Sequence, residues 1–297
     1  MLGFLSCVAM ANTEPTKHTL IPELYVNVSA AKWYSASADL LRSVQGSFAS
    51  GPADDQQFLD LGCGPGNITR DVLLPQCLPC RRLVAVDSSE DMLKYARERF
   101  SHPKIFYDTL DIMSGDLSEF VGRYGLFDRV YALSLLNWLK DQEQALKNIS
   151  KLMKPGGEAF FLFGASNPQI RFRKKLAGMP RWSKYAKICE NCTPPTVDLA
   201  GKEALVSYIS GILKNANWIL SMCEVRSGSF EPHIDLELLI KDLMATNPIR
   251  ALVTKEEELL LLQDATEEAK RLWAGKEADA SLLSFSLFVV RASKPEL

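Results

Sequence analysis

The stretch Phe58-Leu-Asp-Leu-Gly-Cys-Gly-Pro-Gly66 sets the strongest limit on what this chain can fold into. A short, mostly apolar run ending in glycine at 62, 64 and 66 reads as a buried strand turning sharply into a helix. Glycine at such a turn lets backbone approach a ligand where any Cβ would clash. The spacing then separates ligand classes. A dinucleotide fingerprint requires Gly-x-Gly-x-x-Gly, and here the third glycine arrives one residue early, with Asn67 in its place. A phosphate-binding loop ends in Gly-Lys-Ser/Thr, and Gly66-Asn67-Ile68 supplies neither the cation nor the magnesium ligand. The remaining choices are an Asp-x-Gly-x-Gly-x-Gly ligand turn or an ordinary tight connection.

The rest of the chain alternates in a way that favours the first. Apolar residues at helical spacing from Glu23 to Gln45 predict a helical prefix. Strands are expected at Gln57–Leu61, Arg82–Asp87, Lys104–Leu110, Phe127–Leu133 and Glu158–Phe163, each nearly all apolar, as in buried parallel sheets. Between them fall a helix from an Asn67 cap to about Leu74, one starting near Ser89, a short one near Leu117–Val121, and one at Asp141–Met153. Lys154-Pro-Gly-Gly157 is a helix stop and sharp turn. From Ala165 to Ala200 the period is lost, and an irregular segment is expected. A helix Lys202–Ala216, a strand Trp218–Arg226, helices Asp235–Ala245 and Glu256–Trp273, and a last strand Ser281–Arg291 complete the pattern. This predicts an α/β fold: a doubly wound, seven-stranded, Rossmann-like sheet with the last strand antiparallel and helical insertions forming a substrate cap. Residues 1–20 are expected to be a loose tail, and 21–297 one domain with cap elements from 21–50, 165–202 and 232–278.

Two acids sit where a nucleoside would meet the strand ends. Asp87 ends the second strand about twenty residues past the last glycine, placed to accept both ribose hydroxyls, although capping the helix near Ser89 would also suit it. Asp111, after the third strand, can accept from an adenine amino group with Ile112 packed on the ring, or serve only its turn. With the glycine turn, this pattern resembles the class I S-adenosylmethionine-dependent methyltransferases. That resemblance implies S-adenosylmethionine as cofactor, Asp60 at its amino end, Gly62, Gly64 and Gly66 in the turn beneath it, and Asp87, Ser88, Asp111, Ile112 and Ser134 around its nucleoside.

The fourth strand exits into Ser134-Leu-Leu-Asn-Trp138, which lacks the Pro-Pro-aromatic motif of enzymes that methylate exocyclic amines of bases. Trp138 would place an indole N–H and a flat apolar face beside the methyl donor, unless it is only a core tryptophan. The net charge of −2 gives no global attraction to nucleic acid, and no nucleic-acid partner is expected. A run from Arg171 to Lys187 holds seven basic residues and no acid, interleaved with Phe172, Trp182 and Tyr185. It could grip RNA, an anionic membrane surface or an anionic small substrate; the plain reading is a solvated helix face.

Cys77-Leu-Pro-Cys80 and Cys189-Glu-Asn-Cys192 have zinc-site spacing, but the predicted topology puts one pair below the sheet and the other above it. Reduced thiols and no metal are expected. The odd total of seven cysteines, one inside the ligand turn, argues against export despite the apolar start Met1 to Ala11, so a cytoplasmic protein is expected. No apolar run reaches the length of a membrane span.

From Leu24-Tyr25 to the last strand the chain more specifically resembles the juvenile hormone acid methyltransferases. The residues that carry this are Asp60–Gly66, Val86–Ala96, Leu110-Asp-Ile112, Asn137-Trp-Leu-Lys-Asp-Gln-Glu143 and Ala245-Thr-Asn-Pro248. The resemblance implies methyl transfer to the carboxylate of a farnesoic- or juvenile-hormone-acid-like terpenoid, with Trp138 and an N-terminal glutamine holding the acid. Here Lys32 stands at the glutamine position and Asn137 replaces a histidine common before the tryptophan. The expected activity is therefore O-methylation of a small hydrophobic acid, with oligomeric state open. Another small acceptor, such as a polar dicarboxylate or an amine, and an inactive cofactor-binding protein are the alternatives.

Overall fold

In a computed structural model, described here for residues 19–229 and 235–296, the predicted sheet is complete. The strands are β1 (Gln57–Leu61), β2 (Arg82–Asp87), β3 (Ile105–Thr109), β4 (Phe127–Leu133), β5 (Met153–Ser166), β6 (Ile219–Ser229) and β7 (Ser284–Ser293). Their order is β3-β2-β1-β4-β5-β7-β6, with β7 antiparallel to both its neighbours and the first five parallel. The expected tail, residues 1–20, lies almost wholly outside the described residues. Among the described residues no helix is long and apolar enough to cross a membrane.

Strand periodicity sorts the core into two layers. Leu59, Leu61, Val84, Val86, Val130, Phe161 and Phe163 face one side, packed with Phe120, Leu146, Ile149, Ile209 and Leu213 from helices. Phe58, Leu83, Ala85, Tyr131, Phe160 and Leu162 face the other, against Leu40, Leu41, Val44, Leu73 and Leu93. The predicted Asn67 cap is not observed: Asn67 is itself helical and its run continues to Cys77, with a wide π turn at Thr69–Leu73 ahead of Pro75.

The largest correction concerns residues 165–200, which are helical rather than irregular. Pro168–Ala177 and Ala186–Asn191 are helices, with 3-10 turns at Pro180–Tyr185 and Pro195–Asp198. The prolines that suggest turns are helix starts, since a first-turn residue needs no N–H partner. Asn167 caps the first of them, its Oδ1 accepting from the Ile170 N–H at 2.8 Å. This segment packs on Leu236–Ala245 and Lys255–Gly275 to form a third cluster around Phe172, Leu176, Trp182, Leu243, Leu261 and Leu272.

Most of the basic run inside it is solvent-exposed, as a solvated face would be, but its charges are largely paired. Lys175 pairs with Glu268 at 2.5 Å, Lys184 with Glu257 at 2.7 Å and Arg181 with Asp264 at 3.4 Å, while the Trp182 indole N–H donates to Asp264 at 2.7 Å. Lys174 pairs with Asp198. The pairs of Lys175, Arg181 and Lys184 stitch one insertion to the other, whereas that of Lys174 stays within its own. Cys77 and Cys80 pack under the sheet, whereas Cys189 and Cys192 lie in the cap cluster. Burial pushes all four thiols up from their ordinary range.

Candidate active site

The carboxyl ends of β1, β2 and β4 and the segment following β3 open into a cavity of about 510 Å³. Nine of the residues singled out by sequence line it: Asp60, Gly62, Gly64, Asp87, Ser88, Asp111, Ile112, Ser134 and Trp138. Gly66 does not. Its φ is +83°, and a Cβ there would lie 2.6 Å from the Tyr107 hydroxyl and 2.8 Å from the Ala96 Cβ, so this glycine serves packing under the turn. Gly64 is the opposite case, with φ +54° and open space where its Cβ would be. Asn137 lines a smaller adjoining chamber, and the Lys32 side chain lies outside the described residues although its helix, Ala31–Gln45, does not.

Asp60 is buried at the end of β1, with Oδ2 accepting from the Thr69 hydroxyl at 2.6 Å. Burial pushes its carboxyl up to about 7, against the Thr69 hydrogen bond and with the Asp87 charge adding to the rise. Asp87 accepts the Gly64 N–H at Oδ2 and the Ser89 N–H at Oδ1, both at 2.9 Å. Burial raises its pKa while these backbone donors oppose the rise. The helix itself is capped by Ser89, whose hydroxyl accepts from Met92. Asp87 thus ties the glycine turn to β2, and each of its oxygens retains acceptor capacity toward the cavity. Asp111 Oδ1 accepts from the Met113 N–H at 3.0 Å. Ser134 holds φ +66°, unusual for a residue with a Cβ, and its N–H donates to the Leu162 carbonyl at 2.6 Å.

The carboxylates in this wall suit a ligand that presents hydrogen-bond donors. S-adenosylmethionine offers an ammonium, a diol and an adenine amine, and carboxylates at residues 60, 87 and 111 line one cavity with an open glycine turn between them. The residues present fit the group.

The strand-four exit is arranged differently from the sequence expectation. With the Asn137 amide oriented to satisfy both its ends, its nitrogen donates to the Ser134 carbonyl at 3.1 Å and its oxygen accepts from Trp138 Nε1 at 3.2 Å. The indole N–H expected to meet a substrate is therefore engaged by its neighbour. Trp138 is buried and presents its ring as wall to both spaces. Several site residues escaped sequence reasoning: Tyr25 and Ile188 in the cavity, and Gln169 and Asp242 in the chamber, where Arg173 of the basic run also lies. A helix-start reading of Asn167-Pro168 would have put Gln169 and Arg173 on one face, four residues apart.

The profile of a methyltransferase domain matches residues 59–161. The juvenile hormone acid O-methyltransferase of Bombyx mori is 30% identical over 192 residues, 65% of this chain and 66% of that protein. The trans-aconitate 2-methyltransferase of Variovorax paradoxus is 36% identical over 130 residues, 43% of this chain and 47% of that protein. The chain thus spans just under two thirds of the first and about half of the second. The crystal structure of the cyclase SpnF shares the fold, with a TM-score of 0.53 at 16% identity over 89% of this chain and 83% of that one. Residues 59–161 form a methyltransferase domain of the S-adenosylmethionine-dependent class. Within that class, its resemblance is to the juvenile hormone acid O-methyltransferases.

Proposed function

We propose that this protein is an O-methyltransferase that methylates the carboxylate of a small hydrophobic acid of farnesoic or juvenile-hormone-acid type. The observation that carries the reading is the apolar surface that Leu20, Tyr25, Leu139 and Ile188 contribute to the same cavity as the nucleoside-type acids. A ligand with an apolar body can bury itself there at roughly 25 cal/mol per Å² of surface removed from water. A carboxylate is already ionised at neutral pH, since its reference pKa is about 4, so the acceptor needs alignment rather than a base. S-adenosylmethionine, which Asp60, Asp87 and Asp111 would hold in this cavity, would supply an electrophilic sulfonium methyl, the acceptor oxygen gaining the O–C bond as sulfur keeps the electrons of the C–S bond. Asp60, Asp87 and Asp111 hold the donor side, Trp138 walls the acceptor side, and the cap excludes water.

A small polycarboxylate is the second reading, favoured by the identity to trans-aconitate 2-methyltransferase. Turnover of a panel of terpenoid, fatty and tricarboxylic acids with methyl-labelled cofactor separates the two. Cofactor affinity without transfer to any acid would leave only a binding protein.

A further inference from the structure

Beside the large cavity lies the second chamber, about 30 Å³, and the two share Tyr25, Ser134 and Trp138 in their linings. The chamber is otherwise polar, and most of its polar groups are committed. Asn167 caps its helix, Gln169 donates to Asp242 while its own buried Oε1 has no partner, and Asn137 bridges the Ser134 carbonyl and the Trp138 indole.

Arg173 differs from these. It is 2% exposed, and its guanidinium lies 4.0 Å from the centre of the Trp138 ring. Among the described residues it makes one side-chain hydrogen bond, from Nη1 to the Cys192 carbonyl at 2.7 Å, and its buried Nε has no partner. None of the described carboxylates forms an ion pair with it; Asp242 shares the chamber but accepts from Gln169. Burial pulls its pKa down to about 10, which leaves it charged at neutral pH. A buried cation with an orphan donor is costly unless an anion completes it. Stacking on an indole offsets only part of that cost. The planar fork of a guanidinium matches a carboxylate, and a chamber of this size takes a group about as large as one water or one carboxylate.

We propose that Arg173 is the anchor for the substrate's carboxylate, holding it where the chamber meets the cavity at Trp138. This rests on the acid-methylating function proposed above. It gives the strand-four exit a division of labour: Asn137 fixes the indole, the indole carries the guanidinium on its face, and the guanidinium supplies the charge-assisted donor that Trp138 itself does not. It also gives the reaction a direction. The acid enters as an anion and leaves as a neutral ester, so the product forfeits the anchor that the substrate used.

The test is binding, measured apart from turnover. In the presence of S-adenosylhomocysteine, the intact protein should bind dodecanoic acid about 10- to 100-fold more tightly than methyl dodecanoate, the range expected for one hydrogen-bonded charge pair. Arg173→Met should abolish that preference while leaving S-adenosylhomocysteine affinity unchanged, which also certifies the variant as folded. Arg173→Lys should restore part of it, and guanidinium ion added to Arg173→Ala should restore acid binding. Equal affinity for acid and ester in the intact protein, or a preference that survives in Arg173→Met, overturns the proposal. Because the wild-type ratio needs no variant, misfolding cannot obscure it. A carboxylate preference without methyl transfer to any acid would instead retain the anchor and discard the methyltransferase activity.

Discussion

Substituting Asp60→Asn removes a charge that the fold keeps at a cost, and the size of the effect follows from the site. The carboxyl is 2% exposed, and burial lifts its pKa from 3.8 to about 7. A raised acid pKa means the folded state holds a proton that the unfolded state releases. Stability is therefore lost as pH rises from the unfolded value to the folded one, and is constant above it. At about pH 5.5 the loss is about 2 kcal/mol, and by about pH 8.5 it reaches about 4 kcal/mol. Asparagine is nearly isosteric and keeps an acceptor for the Thr69 hydroxyl. Chemical denaturation of both proteins without cofactor should therefore show the variant gaining on the wild type by about 2 kcal/mol between those two pH values. The same ionisation couples to ligand: if the carboxylate meets the cofactor's ammonium, S-adenosylmethionine binds more tightly as pH rises toward 7 and releases a substoichiometric proton below it. A stability difference that is identical at both pH values would refute the buried-acid argument, whatever the mutant's activity.

Other outcomes follow from geometry already described. Asp87→Ala should weaken S-adenosylmethionine by about 1.5–3 kcal/mol in calorimetry, because two hydroxyl donors lose a buried acceptor; unchanged affinity would remove Asp87 from the site. Gly66→Ala should destabilise by about 2–4 kcal/mol in urea melts, from left-handed backbone plus overlap with Tyr107 and Ala96. Trp182→Phe should cost about 1–3 kcal/mol by leaving the buried Asp264 Oδ2 without its donor, with Arg181 at 3.4 Å on the other oxygen, read as a shift in the urea midpoint. Trp138→Ala should lower turnover of every accepted acid by about 10²-fold or more, since it removes the wall that aligns the acceptor; full activity on any acid tested would place the acceptor elsewhere.

The sheet was legible in the sequence because parallel strands buried on both faces are written as short apolar runs, and their ends carry the acids. Asp60, Asp87 and Asp111 could be placed at strand ends before any coordinates, since that position follows from chain order alone. The cap was not legible, because its helices begin at prolines that also read as turns, and its residues answer to partners far along the chain. Arg173 shows why. Residue type and neighbours place it in a basic run, and only the packing of Phe172 and Leu176 beneath the second insertion turns it inward. Gly66 shows the converse: its position was right, but its necessity comes from Tyr107 on a different strand. Trp138 was located correctly, whereas its hydrogen bond depends on an asparagine whose amide orientation no sequence pattern encodes.

The stitching of the cap has a consequence for assembly. The paired residues Lys175 and Glu268 are 93 positions apart, and Trp182 and Asp264 are 82 apart. One insertion leaves after β5, the other returns just before β7, and β7 slots between β5 and β6. Until β7 arrives, β5 and β6 each present an unpaired edge, although the acids that pair the cap's basic residues, Glu257, Asp264 and Glu268, already precede it in the chain. Docking of the last strand therefore seals two exposed strand edges in one event. A nascent chain stalled before residue 284 would hold both halves of the cap but carry open strand edges, the state in which such a protein is most prone to adhere to others of its kind.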